Sequence, residues 1–232
     1  MNIKKKIKNL LIFAHPDDDI LGAGGYIAKY SKNQTFKIIF IGEGSSSRFK
    51  NSEIKKIDAN INKRKKMALR SLKFLGVTDV SFFPMICGKF DEVPILDIIK
   101  IIEKEILLFK PNNIFTHDKN DLNQDHKIVY DATMIATRVG KNTSSINKVL
   151  SCEILSSSNL NYLQEFNPNY FEFLNKNHVK KKIQSFNFYS SEQQKNNLPR
   201  NKRGILNLSI YRGMQCNSEY AEAYKVVKIY SK

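Results

Sequence analysis

The chain has 232 residues, 41% of them hydrophobic and 11% aromatic, which suits one domain with a buried core and is too apolar for a disordered chain. No apolar run approaches the roughly 18–20 residues that a bilayer-crossing helix needs, so no membrane span is expected. The 38 Lys+Arg against 22 Asp+Glu give a formal charge of +16, but the basic residues are spread along a Lys- and Asn-rich chain without a zinc-finger, RRM or KH pattern. A nucleic-acid partner is therefore not expected as the main function, and attraction to an anionic substrate, such as a phosphorylated or nucleotide-linked sugar, accounts for the charge at least as well.

Lys4, Lys5 and Lys6 ahead of the apolar residues 10–14 imitate a secretory leader. The apolar stretch stops at Pro16-Asp17-Asp18-Asp19, short of the about 7–15 residues of a leader core, and a buried first strand fits better. Strands are predicted at residues 9–14, 36–41, 80–84, 113–116 and 149–154. Helices are predicted at 20–31, at 54–75 with Gly76 as the terminating residue, at 94–109 and at 125–139. In the third of these, Ile95, Ile98, Ile99, Ile102, Ile106 and Leu107 follow a 3.6-residue period until Pro111. Strands alternating with helices indicate a mainly parallel α/β sheet in three α/β/α layers, Rossmann-like in its layering.

The last third reads as less regular. Residues 159–194 are polar and aromatic, 196–203 resemble a mobile loop, and a short helix near 206–212 and a segment at 219–229 close the chain. The expectation is a single domain over 1–232, with an α/β core at 1–155 and an irregular part at 156–232 that supplies substrate-facing loops. Lys180-Lys181-Lys182, the densest basic cluster, reads as an exposed helix face. Cys87, Cys152 and Cys216 are scattered without CxxC spacing, as reduced, core-packing thiols of a cytoplasmic protein would be.

Chemistry concentrates in two places. Ala14-His15-Pro16-Asp17-Asp18-Asp19 directly follows the first strand, where open α/β sheets bind their ligands. An imidazole followed by carboxylates at a helix start suits Zn²⁺; the plainer alternative is a helix cap at Asp19 within a solvated acidic turn. Thr116-His117-Asp118 and Asp121-Leu122-Asn123-Gln124-Asp125-His126 follow another strand and can bring a second imidazole to the first. His178, the remaining histidine, reads as a surface residue. Gly22-Ala23-Gly24-Gly25 fails the GxGxxG pattern at Ile27 and is assigned to close helix–sheet packing, and Ser45-Ser46-Ser47-Arg48 to a mobile loop near the site mouth. A magnesium-dependent phosphoryl-transfer domain is a rival reading of the paired aspartates, but it leaves His15 and His126 without a role.

These two segments resemble the PIG-L/LmbE-like zinc deacetylases, whose hallmarks are an Ala-His-Pro-Asp-Asp-Glu signature after the first strand and a later Asp-His pair. The resemblance extends to Arg64 ahead of Leu75-Gly76, to Arg138, and to Tyr211-Arg212-Gly213 and Glu219-Tyr220-Ala221-Glu222-Ala223-Tyr224 near the end. It implies an LmbE-like fold, zinc or another divalent metal on His15, Asp18 and His126, Asp17 as general base, and Asp125 orienting an imidazole. Arg64, Asn123 and Arg138 are candidates for holding substrate or oxyanion. The implied reaction is removal of an N-acetyl group from an amino-sugar conjugate or glycan precursor, N-acetylglucosamine-like. Two departures stand out: Asp19 replaces the usual Glu, and Asn123 replaces a His that many relatives carry, leaving a neutral donor where they have an imidazole. His117 or Arg138 is expected to compensate; a zinc- and sugar-binding relative with weakened catalysis is the alternative that Asn123 raises.

Overall fold

The computed structural model describes residues 6–50, 52–195 and 197–231. Lys4 and Lys5 of the basic N-terminal run, and Asn196 at the start of the expected 196–203 loop, lie outside them. One seven-stranded sheet has the order β3-β2-β1-β4-β5-β7-β6. Its strands are β1 (Lys8–Phe13), β2 (Thr35–Gly42), β3 (Asp79–Met85), β4 (Asn113–Thr116), β5 (Lys148–Cys152), β6 (Tyr170–Leu174) and β7 (Tyr220–Ile229). The first five pair in parallel, and β7 runs antiparallel to both β5 and β6. The helices are α1 (Asp18–Tyr30), α2 (Ile54–Phe74), α3 (Ile95–Phe109), α4 (Gln124–Ala136), α5 (Lys176–Phe186) and α6 (Lys202–Met214).

Strand alternation divides the core in two. Leu11, Phe13, Ile38, Phe40 and Phe115 face a layer built from Ile20 and Ile27 of α1, Ala68 and Leu72 of α2, and Val179 and Ile183 of α5. Leu10, Ile12, Ile39, Ile41 and Ile114 face Ile98, Ile102 and Ile106 of α3 and Val129 and Ala132 of α4. The central strands are therefore apolar on both faces, as parallel strands covered by helices must be. Among the described residues no helix is long and apolar enough to cross a membrane.

The final third is more regular than its composition suggests. Residues 170–174 and 220–229 add two strands to the sheet, and 176–186 form the helix that carries Lys180-Lys181-Lys182. Helix α6 starts at Lys202, inside the expected loop, with Asn201 accepting from the N–H of Gly204 at 3.0 Å. Lys182 is not on an exposed face: its Nζ is buried, donating to the carbonyl of Leu21 (2.8 Å) and to Glu222 Oε1 (2.7 Å). Glu222 also accepts from the N–H groups of Gly25 and Tyr26, both at 2.7 Å, and from Tyr224 Oη. Close packing accounts for Gly25 and Gly22: a Cβ at Gly25 would lie 2.4 Å from Leu174 Cδ1 and 2.8 Å from Glu222 Cδ, and one at Gly22 2.8 Å from Ile154 Cδ1. The C-terminal motif thus ties the last strand to α1. Arg212 serves similarly, its Nε and Nη2 gripping Glu153 at 2.9 and 2.7 Å.

Candidate active site

β1 ends at Phe13 and α1 begins at Asp18, so residues 14–17 must reverse from strand to helix within one short turn. The turn is closed by Asp18 Oδ2, which accepts from the N–H of His15 (3.0 Å). Asp17 takes φ 122°, ψ −27° at the helix N-cap, a conformation L-residues rarely adopt. The acidic turn is not solvated: Asp17, Asp18 and Asp19 are 1%, 4% and 0% exposed. Asp19 does not cap α1 either. Its Oδ1 accepts from the N–H of Asp17 and from Tyr189 Oη, both at 3.2 Å, and burial pushes its carboxyl up to about 7.

The loop after β4 and the start of α4 deliver the second imidazole. Asp18 Oδ2 lies 3.6 Å from His15 Nδ1 and 3.3 Å from His126 Nε2, and one ligand atom from each of the three residues lies within 4.8 Å of the others. The far nitrogen of each ring is fixed by a carboxylate. His15 Nε2 meets Asp125 Oδ2 at 2.9 Å, and His126 Nδ1 meets Asp121 Oδ2 at 3.1 Å. Asp125 is itself held by the N–H groups of Gly88 (2.6 Å) and Phe90 (3.3 Å); Asp121 is held by Ser157 Oγ and by Ser158 Oγ (2.8 Å).

The electrostatics fit a cation. Burial alone would lower His15 and His126, but Asp125 and Asp18 hold His15 well above its ordinary value, and Asp18 and Asp121 bring His126 to about 9. Burial pushes Asp18 up, yet His126 and its neighbouring histidines outweigh this and hold the carboxyl well below the usual range. Carboxylates that favour protons on two facing imidazoles equally favour a metal cation between them. Two imidazoles, one carboxylate and an outer carboxylate on each ring make a donor set suited to zinc.

Asp17 stands beside this trio with a different partner. Arg64, buried on α2, donates from Nη2 to Asp17 Oδ1 (2.9 Å) and from Nε to the carbonyl of Pro16 (2.7 Å), and Arg64 Nη1 pairs with Glu192. Arg200 Nη1 is 3.4 Å from Asp17 Oδ2. Burial raises the Asp17 carboxyl, against the lowering effect of Arg64. His15, Asp17, Asp18 and His126 line a cleft of about 330 Å³ that is also bordered by Arg48, Cys87, Asn123, Ser156, Ser157 and Arg200.

The remaining expectations divide. Asn123 borders the cleft as the N-cap of α4, its Oδ1 accepting from the N–H of Asp125 (2.9 Å), which leaves the Nδ2 group as its donor. Arg64 also lines the cleft, and its contacts with Asp17 and the carbonyl of Pro16 position Asp17. Arg138 is a correction. Its side chain is 67% exposed, pairs with Glu103 of α3 at 3.3 Å and does not border the cleft. His117 is another: fully buried, it stacks on His126 with centroids 3.8 Å apart, and its Nε2 accepts from the N–H of Ala14 (2.8 Å). Neither stands in for the His that Asn123 replaces. The segment 45–48 is held by side-chain contacts and reaches the cleft through Arg48. Glu43 accepts from the N–H and Oγ of Ser45 and Ser46, and Arg48 forks onto Glu192 at 2.9 and 2.5 Å. His178 lies partly exposed in the capping box of α5. Asp121, Glu192 and Arg200 were not picked out from the sequence. Asp121 had a signal, as an acid in the His126 loop; Glu192 and Arg200 lie in a stretch with no periodicity or motif.

The sequence model of the PIG-L family, described as GlcNAc-PI de-N-acetylase, matches residues 10–137, more than half of the chain, and includes both loops of the site. The chain belongs to the PIG-L family. No curated protein matches it in sequence. Among solved structures, N,N'-diacetylchitobiose deacetylase from Pyrococcus horikoshii, complexed with its inhibitor MPG, has a TM-score of 0.74 at 16% identity, over 97% of this chain and 85% of that one. A deacetylase of the teicoplanin biosynthesis pathway, in complex with bog, scores 0.73 at 16% identity over 97% and 99%. GalB, the 4-carboxy-2-hydroxymuconate hydratase from Pseudomonas putida KT2440, scores 0.71 at 18% identity over 97% and 98%. At such identities these likenesses show a shared fold, and that fold hosts both deacetylases and a hydratase.

Proposed function

We propose that this member of the PIG-L family is a metal-dependent hydrolase that removes an N-acetyl group from an amino-sugar conjugate. The observation that carries the reading is the convergence of His15, Asp18 and His126 beside an acid, Asp17, that belongs to a separate charge network. His15, Asp18 and His126 would hold the metal, zinc by the chemistry of the donors, with another divalent ion able to replace it in the cell. When bound, such an ion polarises an amide carbonyl and makes water acidic near neutral pH.

The chain's own residues do the rest. Asp17, buried and raised toward neutrality, takes a proton from the attacking water. It returns that proton to the sugar nitrogen as the C–N bond breaks, so acetate and a free amine leave. A carboxyl whose pKa is brought nearer the working pH performs both transfers better. Arg64 holds Asp17 in place, and Asp125 and Asp121 hold the two imidazole rings. Asn123 Nδ2 is the donor available at the cleft for the carbonyl oxygen as it gains charge, a neutral substitute for the His of many relatives. Arg48, Arg200 and Ser156 at the mouth would meet the part of the conjugate beyond the acetylated sugar. The free thiols Cys87, Cys152 and Cys216 support a cytoplasmic setting.

The experiment is an amine-release screen across N-acetyl-sugar conjugates with wild type and Asp17→Asn. Hydrolysis by wild type that the variant lacks supports the reading. A wild type that holds metal yet releases no amine from any N-acyl sugar sinks it in favour of a binding relative, the alternative to which Asn123 points.

A further inference from the structure

Cys87 has no part in the proposed reaction, yet the loop after β3 holds it firmly. Its N–H donates to Glu43 Oε1 at 2.9 Å, the next N–H, of Gly88, donates to Asp125 Oδ2 at 2.6 Å, and Ser47 Oγ lies 3.5 Å from the sulfur. These contacts set the half-buried thiol at the border of the cleft. There the sulfur, a ring nitrogen of His15 and a carboxylate oxygen of Asp125 lie within 4.8 Å of one another. Ligand atoms around a tetrahedral zinc stand about 3.3–3.8 Å apart, given bonds of about 2.0–2.3 Å, so modest side-chain movement closes the trio on an ion. A thiol, an imidazole and a carboxylate also form a softer donor set than His15, Asp18 and His126, and thiolates select zinc and cadmium over magnesium or calcium.

We propose that His15, Cys87 and Asp125 form a second metal site, which takes a thiophilic divalent cation when that metal is in excess and shares the His15 ring with the first site. The two sites address opposite sides of one ring: Nδ1 lies 3.6 Å from Asp18 and Nε2 lies 2.9 Å from Asp125. Loading the second site releases the thiol proton and the proton between Nε2 and Asp125 to solvent, so that a dication replaces two protons. It also removes the hydrogen bond by which Asp125 orients His15 for the first site, so excess zinc or cadmium acts as an inhibitor. The inhibition rests on the reading of His15, Asp18 and His126 as the first site; the existence of the second does not.

The test is a cadmium titration of the metal-free full chain, wild type against Cys87→Ser and Cys87→Ala, following bound ion by equilibrium dialysis and the ultraviolet charge-transfer band of a cadmium thiolate. Wild type is expected to bind a second ion that brings the band. Both variants are expected to lose the band and to bind that ion at least tenfold more weakly, while the ion without the band remains. A wild type with no thiolate band, or a band that survives Cys87→Ser and so arises from Cys152 or Cys216, overturns the proposal. Loss of the thiolate-bound ion in a variant that binds no other ion would uphold the second site and refute the first.

Discussion

Arg64 grips Asp17 twice, through the side chain at 2.9 Å and through the carbonyl of the preceding Pro16 at 2.7 Å, and Asp17 is the residue whose φ is 122°. A non-glycine residue in such a conformation costs about 1–3 kcal/mol. The arginine on α2 therefore holds a strained turn as well as a charge. Two jobs follow for Asp17, one in the backbone and one at the carboxyl, and substitution can separate them. Asn tolerates positive φ better than most residues but cannot accept a proton. Asp17→Asn is expected to fold and keep its metal while kcat falls by about 10²–10⁴-fold, read by amine release alongside metal content. Full activity in that variant would remove Asp17 from the chemistry.

Arg64 itself is 4% exposed, and it pairs with two buried carboxylates, Asp17 and Glu192. Arg64→Met leaves Asp17 without its main partner, while Arg48 still forks onto Glu192, and breaking a buried pair on one side costs about 3–5 kcal/mol. Urea unfolding is expected to show that loss. Arg64→Lys should recover only part of it, because an ammonium cannot reproduce the fork that reaches Pro16, Asp17 and Glu192 together.

Asp125 and Asp121 touch the outer nitrogens of the two imidazoles, one each. Asp125→Asn and Asp121→Asn are each expected to weaken metal binding by about 10–100-fold, measured by competition with a chelating dye. Neither should abolish it, since the ligands remain. Equal affinity in all three proteins would mean that the carboxylates serve the fold and not the ion.

The buried pair Lys182–Glu222 lies on the α1–α5 side of the sheet and does not border the cleft. Glu222→Leu removes the acceptor for Gly25, Tyr26, Lys182 and Tyr224 at once and leaves the Lys182 ammonium buried. The expected cost of about 3–5 kcal/mol corresponds to a fall in Tm of about 10 °C for a chain of this size. Metal stoichiometry of the folded protein should not change. Thermal unfolding followed by circular dichroism checks it.

The legible part of this protein is what repeats or what sits at a strand end. Alternation in Leu10–Phe13 and Ile38–Ile41 and the period of Ile95–Ile106 are dictated by helices covering a parallel sheet, so all five parallel strands and the helices among them could be located from apolar spacing. The two loops that carry His15, Asp17, Asp18, Asp125 and His126 were legible because they follow strands at the carboxyl edge of such a sheet; the individual roles are what the resemblance implies. What the sequence could not reveal depends on contacts between distant, non-periodic segments. Glu192 and Arg200 reach Asp17 from a stretch whose only regularity is polarity. Lys182 looked exposed because its neighbours Lys180 and Lys181 are, yet its partner Glu222 lies 40 residues away. Arg138 looked functional by position, but α4 ends at Ala136 and turns it outward to Glu103. Asn123 borders the cleft, and His117 lies stacked on His126.

The most direct test of the central claim joins metal content to amide hydrolysis in wild type as purified, stripped with chelator and restored with zinc, with His126→Ala alongside. Wild type is expected to lose amine release on stripping and to regain it with about one equivalent of zinc; His126→Ala is expected to hold no ion at the site and to stay inactive. Stripped wild type that still cleaves its N-acetyl sugar at full rate, or folded His126→Ala that keeps both ion and activity, would contradict the account.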